Sequence, residues 1–300
     1  MPGADEPGRR RGASEIVKTR FILKLGCPDQ AGIVHAVTGF LLTHGGNILT
    51  SAQHGDADHQ RFFMRIEFES AAELAAMHEG FAPLADTLTM DWELVASATK
   101  TRVLLLVSKL GHCLNDLLFR VQTGHLPIEI VAIVSNHRDF YQLAASHNIP
   151  FHHLPLLNSS DEQKAAQEAK LRELMADQQI DLVVLARYMQ ILSAALCRDL
   201  AGRAINIHHS FLPSFKGAKP YHQAYERGVK LIGATAHYVT SDLDEGPIIE
   251  QEVARIDHSL SPEQLTAIGR DVECVTLARA IQWHAERRVL LNGSRTVVFR

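Results

Sequence analysis

From Lys18 onward, apolar and polar side chains alternate along the chain, which is typical of a strand with one buried face. Phe21, Leu23 and Leu25 form the apolar set, and the sequence Gly-Cys-Pro-Asp ends the predicted strand. A helix is predicted to follow with Asp29 as its N-cap, because apolar residues then recur at intervals of three and four.

The next segments repeat these two patterns in a mixed order. We predict strands over residues 47–54 and 60–69, a helix over residues 71–86 and a last strand over residues 91–96. Together with the first strand and helix, the order is βαββαβ, which is that of a ferredoxin-like domain. The following segment SATKTR, near residue 100, has no apolar periodicity and is the predicted linker to a second domain.

The pattern changes after the linker, where nearly continuous apolar runs replace the alternation. Three such runs, over residues 103–108, 128–135 and 181–186, are rich in valine, leucine and isoleucine, with helical patterns between them. Strands buried on both faces of a parallel sheet have this composition. The second domain is therefore predicted to be a doubly wound, mostly parallel α/β fold.

Further elements of the second domain can also be predicted. A helix is expected over residues 160–178, and Ser159 and Glu162 have the spacing of a capping box at its start. An antiparallel strand pair and a long helix with Pro262 just inside its start are predicted over residues 231–240, 247–256 and 261–286. The predicted sheet is therefore mixed.

A length of 300 residues supports the division into two domains. We predict a tail at residues 1–15, a first domain at residues 16–97 and a second domain at residues 102–300. The tail is rich in proline, glycine and charged residues, so we expect it to be flexible.

The composition excludes several classes of protein. With 46% hydrophobic and 21% charged residues, the chain can bury a core, which excludes a disordered or fibrous protein. A net charge of −4 lacks the basic excess that binding to phosphate backbones needs, so no nucleic-acid partner is expected. The absence of an apolar run of about 18 residues, and four cysteines without a CxxC pair, favour a cytoplasmic protein with no membrane partner.

The strongest chemical candidates are two polar side chains on a predicted strand, Asn206 and His208. Because they are two residues apart, they project from one face of the strand, whereas Ile205 and Ile207 project from the other. An amide and an imidazole side by side could donate hydrogen bonds to a developing oxyanion. From the residues alone, an equally good interpretation is that they cap the end of the strand and the following turn.

A second polar cluster lies in the predicted loop at residues 240–249, which carries Asp242, Asp244 and Glu245 beside a Gly-Pro pair. Asp242 and Glu245 are interpreted as turn residues, because Asp and Gly-Pro are common in turns. Asp244 has a chemical role only if it reaches His208, where it could orient the imidazole and hold a water.

Neither a metal nor a nucleotide cofactor is expected. The adjacent pairs His152–His153 and His208–His209 should point to opposite faces of a strand, so neither pair is predicted to chelate one ion. The segment SKLGHCLNDLL after the first strand of the second domain has a single glycine, Gly111, whereas phosphate cradles need several.

The segments NIHHSFLPSFKGAKPY and GATAHYVTSDLDEGPII resemble the formyltransferase family that uses 10-formyltetrahydrofolate, and the resemblance runs from about Arg102 to near the C-terminus. It implies that Asn206, His208 and Asp244 form a catalytic set. The segment LARYMQILS resembles the folate-pocket segment of that family. The substrate-binding residues implied by the resemblance are Met189, Gln190, Ile191 and Leu243.

The first domain resembles an ACT domain in the segment CPDQAGIVHAVTGFLLTHGGNI. Such domains often bind amino acids and pair with copies of themselves, so the resemblance implies an amino acid effector and a homo-oligomer. A purely structural dimerisation module is an equally weighted alternative.

The chain departs from the transferases of the family at two places, and the first departure leaves water as the acceptor. The segment SKLGHCLNDLL differs from their glycine-rich loop for the acceptor phosphate, and His209 stands where they usually have proline. The resemblance therefore implies hydrolysis of 10-formyltetrahydrofolate, as substrate and not as cofactor, to formate and tetrahydrofolate. The formate would supply purine biosynthesis, and the reaction would balance the one-carbon folate pool. The alternatives are a formyltransferase with an unidentified amine acceptor and a non-catalytic amino acid sensor.

Overall fold

A computed structural model describes residues 18–156, 160–212 and 220–300. The chain divides into two compact units, Met1–Ala98 and Thr99–Arg300. The predicted tail at residues 1–15 and Ser159 of the predicted capping box lie outside the described residues.

The first unit is a four-stranded antiparallel sheet with two helices. Its elements are β1 (Thr19–Pro28), α1 (Ile33–Thr43), β2 (Asn47–Asp56), β3 (Arg61–Ser70), α2 (Leu74–Thr87) and β4 (Asp91–Ala96). The strand order is β2-β3-β1-β4, with β1 between its two antiparallel partners β3 and β4. The predicted ferredoxin-like order βαββαβ is confirmed.

The predicted N-cap of α1 is wrong. The N-cap is Gly32, whose φ of 95° lies in the left-handed region that glycine adopts without steric cost. Asp29 lies in the preceding turn instead, where its backbone N–H donates to the carbonyl oxygen of Gln60 at 2.9 Å. The apolar alternation that predicted β1 does face the core, since Leu23 and Leu25 are buried.

The second unit contains a seven-stranded mixed sheet and a separate two-stranded hairpin that the sequence did not predict. Its first elements are β5 (Thr101–Val107), α3 (His112–Gln122), β6 (Ile128–Ser135), α4 (Tyr141–Ser146), β7 (Phe151–His153), α5 (Asp161–Asp177) and β8 (Leu182–Leu185). They are followed by α6 (Ala194–Asp199), β9 (Ala204–His208), α7 (Pro220–Glu226), β10 (Leu231–Tyr238), β11 (Ile248–Arg255), α8 (Pro262–Ala285), β12 (Val289–Asn292) and β13 (Arg295–Val298).

The order of the large sheet is β11-β10-β9-β8-β5-β6-β7. Strands β5 to β9 pair in parallel, and β10 pairs antiparallel with both β9 and β11. The predicted mixed, mostly parallel sheet is therefore confirmed. Both faces are covered: Leu105 belongs to a core with Leu277 of α8, and Leu104 belongs to a core with Leu171 of α5. This two-sided burial explains the continuous apolar runs.

Helices α5, α6 and α8 of this unit have serine N-caps. Helix α5 has Ser160 as its N-cap, and the Ser160 side chain accepts a hydrogen bond from the N–H of Gln163 at 3.3 Å, so the predicted box of Ser159 and Glu162 is displaced by one residue. Helix α8 begins with Pro262 in its first turn, as predicted. Among the described helices, none is long and apolar enough to cross a membrane.

Candidate active site

Strand β9 places Asn206 and His208 at alternate positions, and the isoleucines between and before them belong to the apolar core. Because β9 pairs antiparallel with β10, Asn206 lies opposite His237, and His208 lies opposite Thr235. The pairing register therefore adds a second imidazole, that of His237, to the two side chains that the sequence pattern indicated.

The segment between β10 and β11 brings Asp244 to both imidazoles. Oδ1 of Asp244 lies 3.2 Å from Nδ1 of His208 and 3.7 Å from Nε2 of His237. Asp244 has a φ of 58°, a left-handed conformation that aspartate tolerates better than most residues. A Cβ atom at Gly246 would lie 1.7 Å from the carbonyl oxygen of Tyr238, so only glycine lets this segment approach β10 so closely.

The electrostatics favour an ionised Asp244. Burial raises the pKa of this carboxyl, but the hydrogen bond and positive charge of His208 outweigh burial and hold its pKa well below the usual range. Asp244 is therefore a carboxylate that accepts the Nδ1–H of His208.

His208 has one nitrogen left over. It is 6% exposed, its Nδ1 contacts Asp244, and its Nε2 is buried with no hydrogen-bond partner among the described residues. Buried polar atoms are rarely left without a partner in folded proteins, and the exceptions often mark functional sites. Nε2 of His208 is thus the atom available to a substrate.

His237 orients the amide of Asn206. Nδ1 of His237 lies 2.8 Å from the carbonyl oxygen of Tyr238, so this nitrogen is the donor and Nε2 is the acceptor. Nδ2 of Asn206 lies 3.3 Å from that Nε2 and donates one of its two hydrogens to it. The second amide hydrogen remains for a ligand. His237 was not among the predicted site residues, although a histidine inside the apolar run LIGATAHY is a signal of the same kind as Asn206.

These side chains line a cleft of about 350 Å³. All seven residues predicted for the site lie in its lining: Asn206, His208, Asp244, Met189, Gln190, Ile191 and Leu243. The apolar side chains of Met189, Ile191 and Leu243 are more than half exposed, at 58%, 61% and 59%. An open cleft with exposed apolar walls and a few polar groups suits a flat heterocyclic ligand.

Two hydrogen bonds hold the segment that carries Met189. The backbone N–H of Met189 donates to Oγ of Ser108 at 3.0 Å, and the backbone N–H of Ser193 donates to a carboxylate oxygen of Glu168 at 2.6 Å. Glu168 is only 4% exposed. One wall of the cleft is therefore fixed at both ends by buried polar contacts.

A buried network that the sequence analysis did not foresee centres on Glu273 of α8. This carboxylate is 1% exposed and accepts hydrogen bonds from Tyr221 at 2.6 Å and from Nε2 of His112 at 2.8 Å. It also lies 3.4 Å from Nε of Arg187. His112, Cys113 and Glu273 place three potential metal ligands within 4.8 Å of one another. The Glu273 oxygens already have hydrogen-bonding partners, so we interpret the group as a hydrogen-bonded network.

One expectation about His208 and His209 is wrong. Their rings do not point to opposite faces but stack, with centroids 4.9 Å apart and an interplanar angle of 23°. The reason is that β9 ends at His208, so His209 no longer follows strand geometry.

Comparison with known proteins places this site in a family. The model of the family described as Formyl transferase matches residues 101–281. A formyltetrahydrofolate deformylase of Corynebacterium sp. (strain P-1) is 53% identical over 286 residues, which cover 94% of this chain and 99% of that protein.

Solved structures give the same result. The formyltetrahydrofolate deformylase of Burkholderia mallei matches with a TM-score of 0.90 and 54% identity, over 94% of this chain and 100% of that chain. The glycinamide ribonucleotide transformylase 1 of Symbiobacterium toebii matches with a TM-score of 0.62 and 30% identity, over 67% of this chain and 95% of that chain.

Proposed function

This chain belongs to the formyl transferase family and, within it, to the formyltetrahydrofolate deformylases, and we propose that it hydrolyses 10-formyltetrahydrofolate to formate and tetrahydrofolate. The observation that carries the proposal is the contact of Asp244 with His208 beside the amide of Asn206. It joins, in one cleft, two groups that can donate to an oxyanion and a carboxylate that orients one of them.

In the proposed reaction a water oxygen bonds to the formyl carbon and a tetrahedral oxyanion forms. The second amide hydrogen of Asn206 and the Nε2–H of His208 donate to this oxyanion, while Asp244 accepts the Nδ1–H of His208 and holds the attacking water. The bond from carbon to N10 then breaks. The Nε2 proton of His208 passes to N10, and formate leaves. Of the two protons of the attacking water, one restores the proton that His208 has lost and the other is released to solvent.

The walls of the cleft support a folate as the substrate. Exposed apolar side chains of Met189, Ile191 and Leu243 provide surfaces for a pterin ring, and Gln190 adds an amide that can bond its polar edge.

The alternative is transfer of the formyl group to an amine. Against it, the segment after β5 is filled by the chain's own side chains: His112 bonds to Glu273, and the ring of Phe140 lies 2.3 Å from where a Cβ of Gly111 would be. This crowding supports water as the acceptor, since it leaves little room beside Gly111 for an acceptor phosphate.

The first test is formate release from 10-formyltetrahydrofolate by the full chain with no amine added. We expect turnover, and we expect Asn206→Ala to reduce kcat by about 10² to 10³-fold, the usual effect of removing one oxyanion donor. Dependence of the reaction on an added amine would support the transferase. Turnover by Asn206→Ala at the wild-type rate would refute the proposed role of the amide.

For the first unit we propose an effector-binding and oligomerisation role. The turn before α1 is exposed at residues 28–32, and edge strand β2 is exposed along most of its length. Rates of formate release measured with a panel of amino acids test for an effector. Rates that do not change across the panel would contradict an effector role. Sedimentation of the full chain tests the oligomer.

The proposed setting of the reaction is the cytoplasm, where the formate would feed purine biosynthesis and the hydrolysis would balance the one-carbon folate pool. All four cysteines are free, which fits a reducing compartment. Deletion of the gene, followed by growth with and without purines, tests this setting.

A further inference from the structure

Arg187 contacts His209 at the edge of the cleft. Arg187 follows β8, is 8% exposed and has a φ of 66°, which is a strained conformation for a residue other than glycine. Its Nη1 lies 2.7 Å from Nδ1 of His209. A guanidinium has donors only and stays protonated, so Nδ1 of His209 must be the acceptor. The one proton of a neutral His209 is then on Nε2.

Glu273 anchors this guanidinium. Its carboxylate lies 3.4 Å from Nε of Arg187 and accepts hydrogen bonds from Tyr221 and His112. Burial raises the pKa of Glu273, but the hydrogen bonds of His112 and Tyr221 and the charge of Arg187 lower it by more. Glu273 is therefore ionised and balances the charge of Arg187, and side chains from two further helices, Tyr221 and His112, hold Glu273 in place.

The ring of His209 in turn packs against His208. The two rings stack at 4.9 Å, and Nδ1 of His208 contacts Asp244 at 3.2 Å. His208 is thus held by a carboxylate at one nitrogen and by a flat ring on one face. A second positive charge on His209 would oppose the charge that His208 carries when it donates to both Asp244 and an oxyanion.

We propose that Arg187 is a positioning residue for the hydrolysis: it keeps His209 neutral, with its proton on Nε2, and so fixes the imidazole of His208 against Asp244. This inference rests on the proposed roles of His208 and Asp244. The titratable or charged groups along this line of contacts are His112, Cys113, Tyr221, Glu273, Arg187, His208, His237 and Asp244.

The tautomer of His209 is the direct test, and it needs no substitution at Arg187. Nitrogen NMR of the full chain labelled at histidine, with the His209 signals assigned by His209→Asn, reports which ring nitrogen carries a proton. We expect an unprotonated Nδ1 from neutral pH down to about pH 5, below the usual histidine pKa. A proton on Nδ1 at neutral pH would overturn the inference.

Kinetics separate positioning from a merely structural role. We expect Arg187→Met to lower kcat about 10- to 100-fold, a loss within the range of couplings between contacting residues. The KM for 10-formyltetrahydrofolate should stay within about 3-fold of the wild-type value. His209 should then titrate, adding an ionisation at roughly pH 5 to 8 to the kcat profile. Arg187→Lys keeps a charged donor for Nδ1 and should recover part of the rate and the normal profile.

The matched control is Arg120→Met. Arg120 also pairs with a carboxylate, Asp116 at 2.7 Å, but its side chain is partly exposed and does not line the cleft. Its kcat and pH profile should stay those of the wild type. An unchanged kcat and profile in folded Arg187→Met would contradict the inference, and so would a loss confined to KM.

A double-mutant cycle tests whether Arg187 acts through His209. In the His209→Asn background, Arg187→Met should cost no more than about 2-fold, because the ring through which Arg187 acts is gone. An equal cost in both backgrounds would show that Arg187 acts without His209. If Arg187→Met does not fold, the tautomer of His209 in the wild type and the kinetics of Arg187→Lys test the inference in its place. Absence of formate release by the wild-type chain would defeat the proposed function itself, whatever the tautomer of His209.

Discussion

Two of the imidazole–carboxylate contacts in the described part of the second unit can be compared, His208–Asp244 at 3.2 Å and His112–Glu273 at 2.8 Å. Both carboxyl groups have a pKa below the usual value, because in each case hydrogen bonds and nearby positive charge outweigh burial. Distance and charge therefore do not distinguish the two pairs.

Their surroundings do distinguish them. Glu273 is 1% exposed, and its oxygens are taken up by Tyr221 and His112, whereas Asp244 lines the cleft beside a histidine nitrogen with no partner in the described structure. A carboxylate with filled bonding capacity stabilises the fold or positions a neighbour. A carboxylate beside an unpaired donor is positioned to act together with that donor on a bound ligand.

The largest effect that this contrast predicts is on catalysis at Asp244. Asp244→Asn should lower kcat for formate release by about 10² to 10⁴-fold, equal to about 3 to 5 kcal/mol in the barrier, while the protein stays folded. Glu245→Gln is the control, since Glu245 is the exposed carboxylate next along the chain and does not line the cleft. Comparable rates for Asp244→Asn and Glu245→Gln would remove the contrast.

The next effect is on stability at Glu273. Glu273→Gln should lower the free energy of unfolding by about 3 kcal/mol, because it leaves the buried guanidinium of Arg187 without its anion. Urea denaturation measures this, and Asp271→Asn, an exposed position on the same helix, should change stability by less than about 0.5 kcal/mol. A Glu273→Gln protein as stable as Asp271→Asn would show that the buried pair does not support the fold.

A smaller effect concerns His237, which supports the catalytic pair from β10. His237→Ala should reduce kcat about 10-fold, because Asn206 loses the acceptor that orients its amide. His237→Gln keeps an acceptor in this position and should lose less. The comparison of kcat for the two variants tests the orienting role, and an equal loss in both would contradict it.

The smallest effect is on the pH dependence of stability. A carboxyl whose pKa is lowered on folding adds stability that is complete above its ordinary pKa of about 4 and is lost as the pH falls toward the folded value. The stability gap between wild type and Glu273→Gln should therefore narrow between about pH 5 and pH 3. Unfolding free energies from urea denaturation at both pH values check this, and a constant gap would argue against an ionised Glu273.

The fold was predictable because burial leaves a direct trace in the sequence. Alternation at Leu23 and Leu25 marks a sheet with one covered face, and the unbroken run that includes Leu104 and Leu105 marks a sheet covered on both. Caps were less predictable, since Gly32 and Ser160 replaced the expected Asp29 and Ser159. Neighbouring residues can each cap a helix, and the local chain path decides between them.

The site was predictable only in part. The polar pair Asn206 and His208 stood out against an apolar strand, and resemblance supplied Asp244 as its partner. His237 was missed because its relation to Asn206 comes from the register of two antiparallel strands, 31 residues apart in the chain.

By itself, the sequence determined which segments form strands and helices, how the sheet faces are covered, and which strand carries an amide and an imidazole together. Those properties follow from side-chain periodicity over a few neighbouring residues. Only the tertiary structure decided that Asp244 reaches His208 and that His209 stacks on the His208 ring. It also decided that Arg187 contacts both His209 and Glu273. Such contacts join side chains far apart in the chain, and no local periodicity encodes the distance between them.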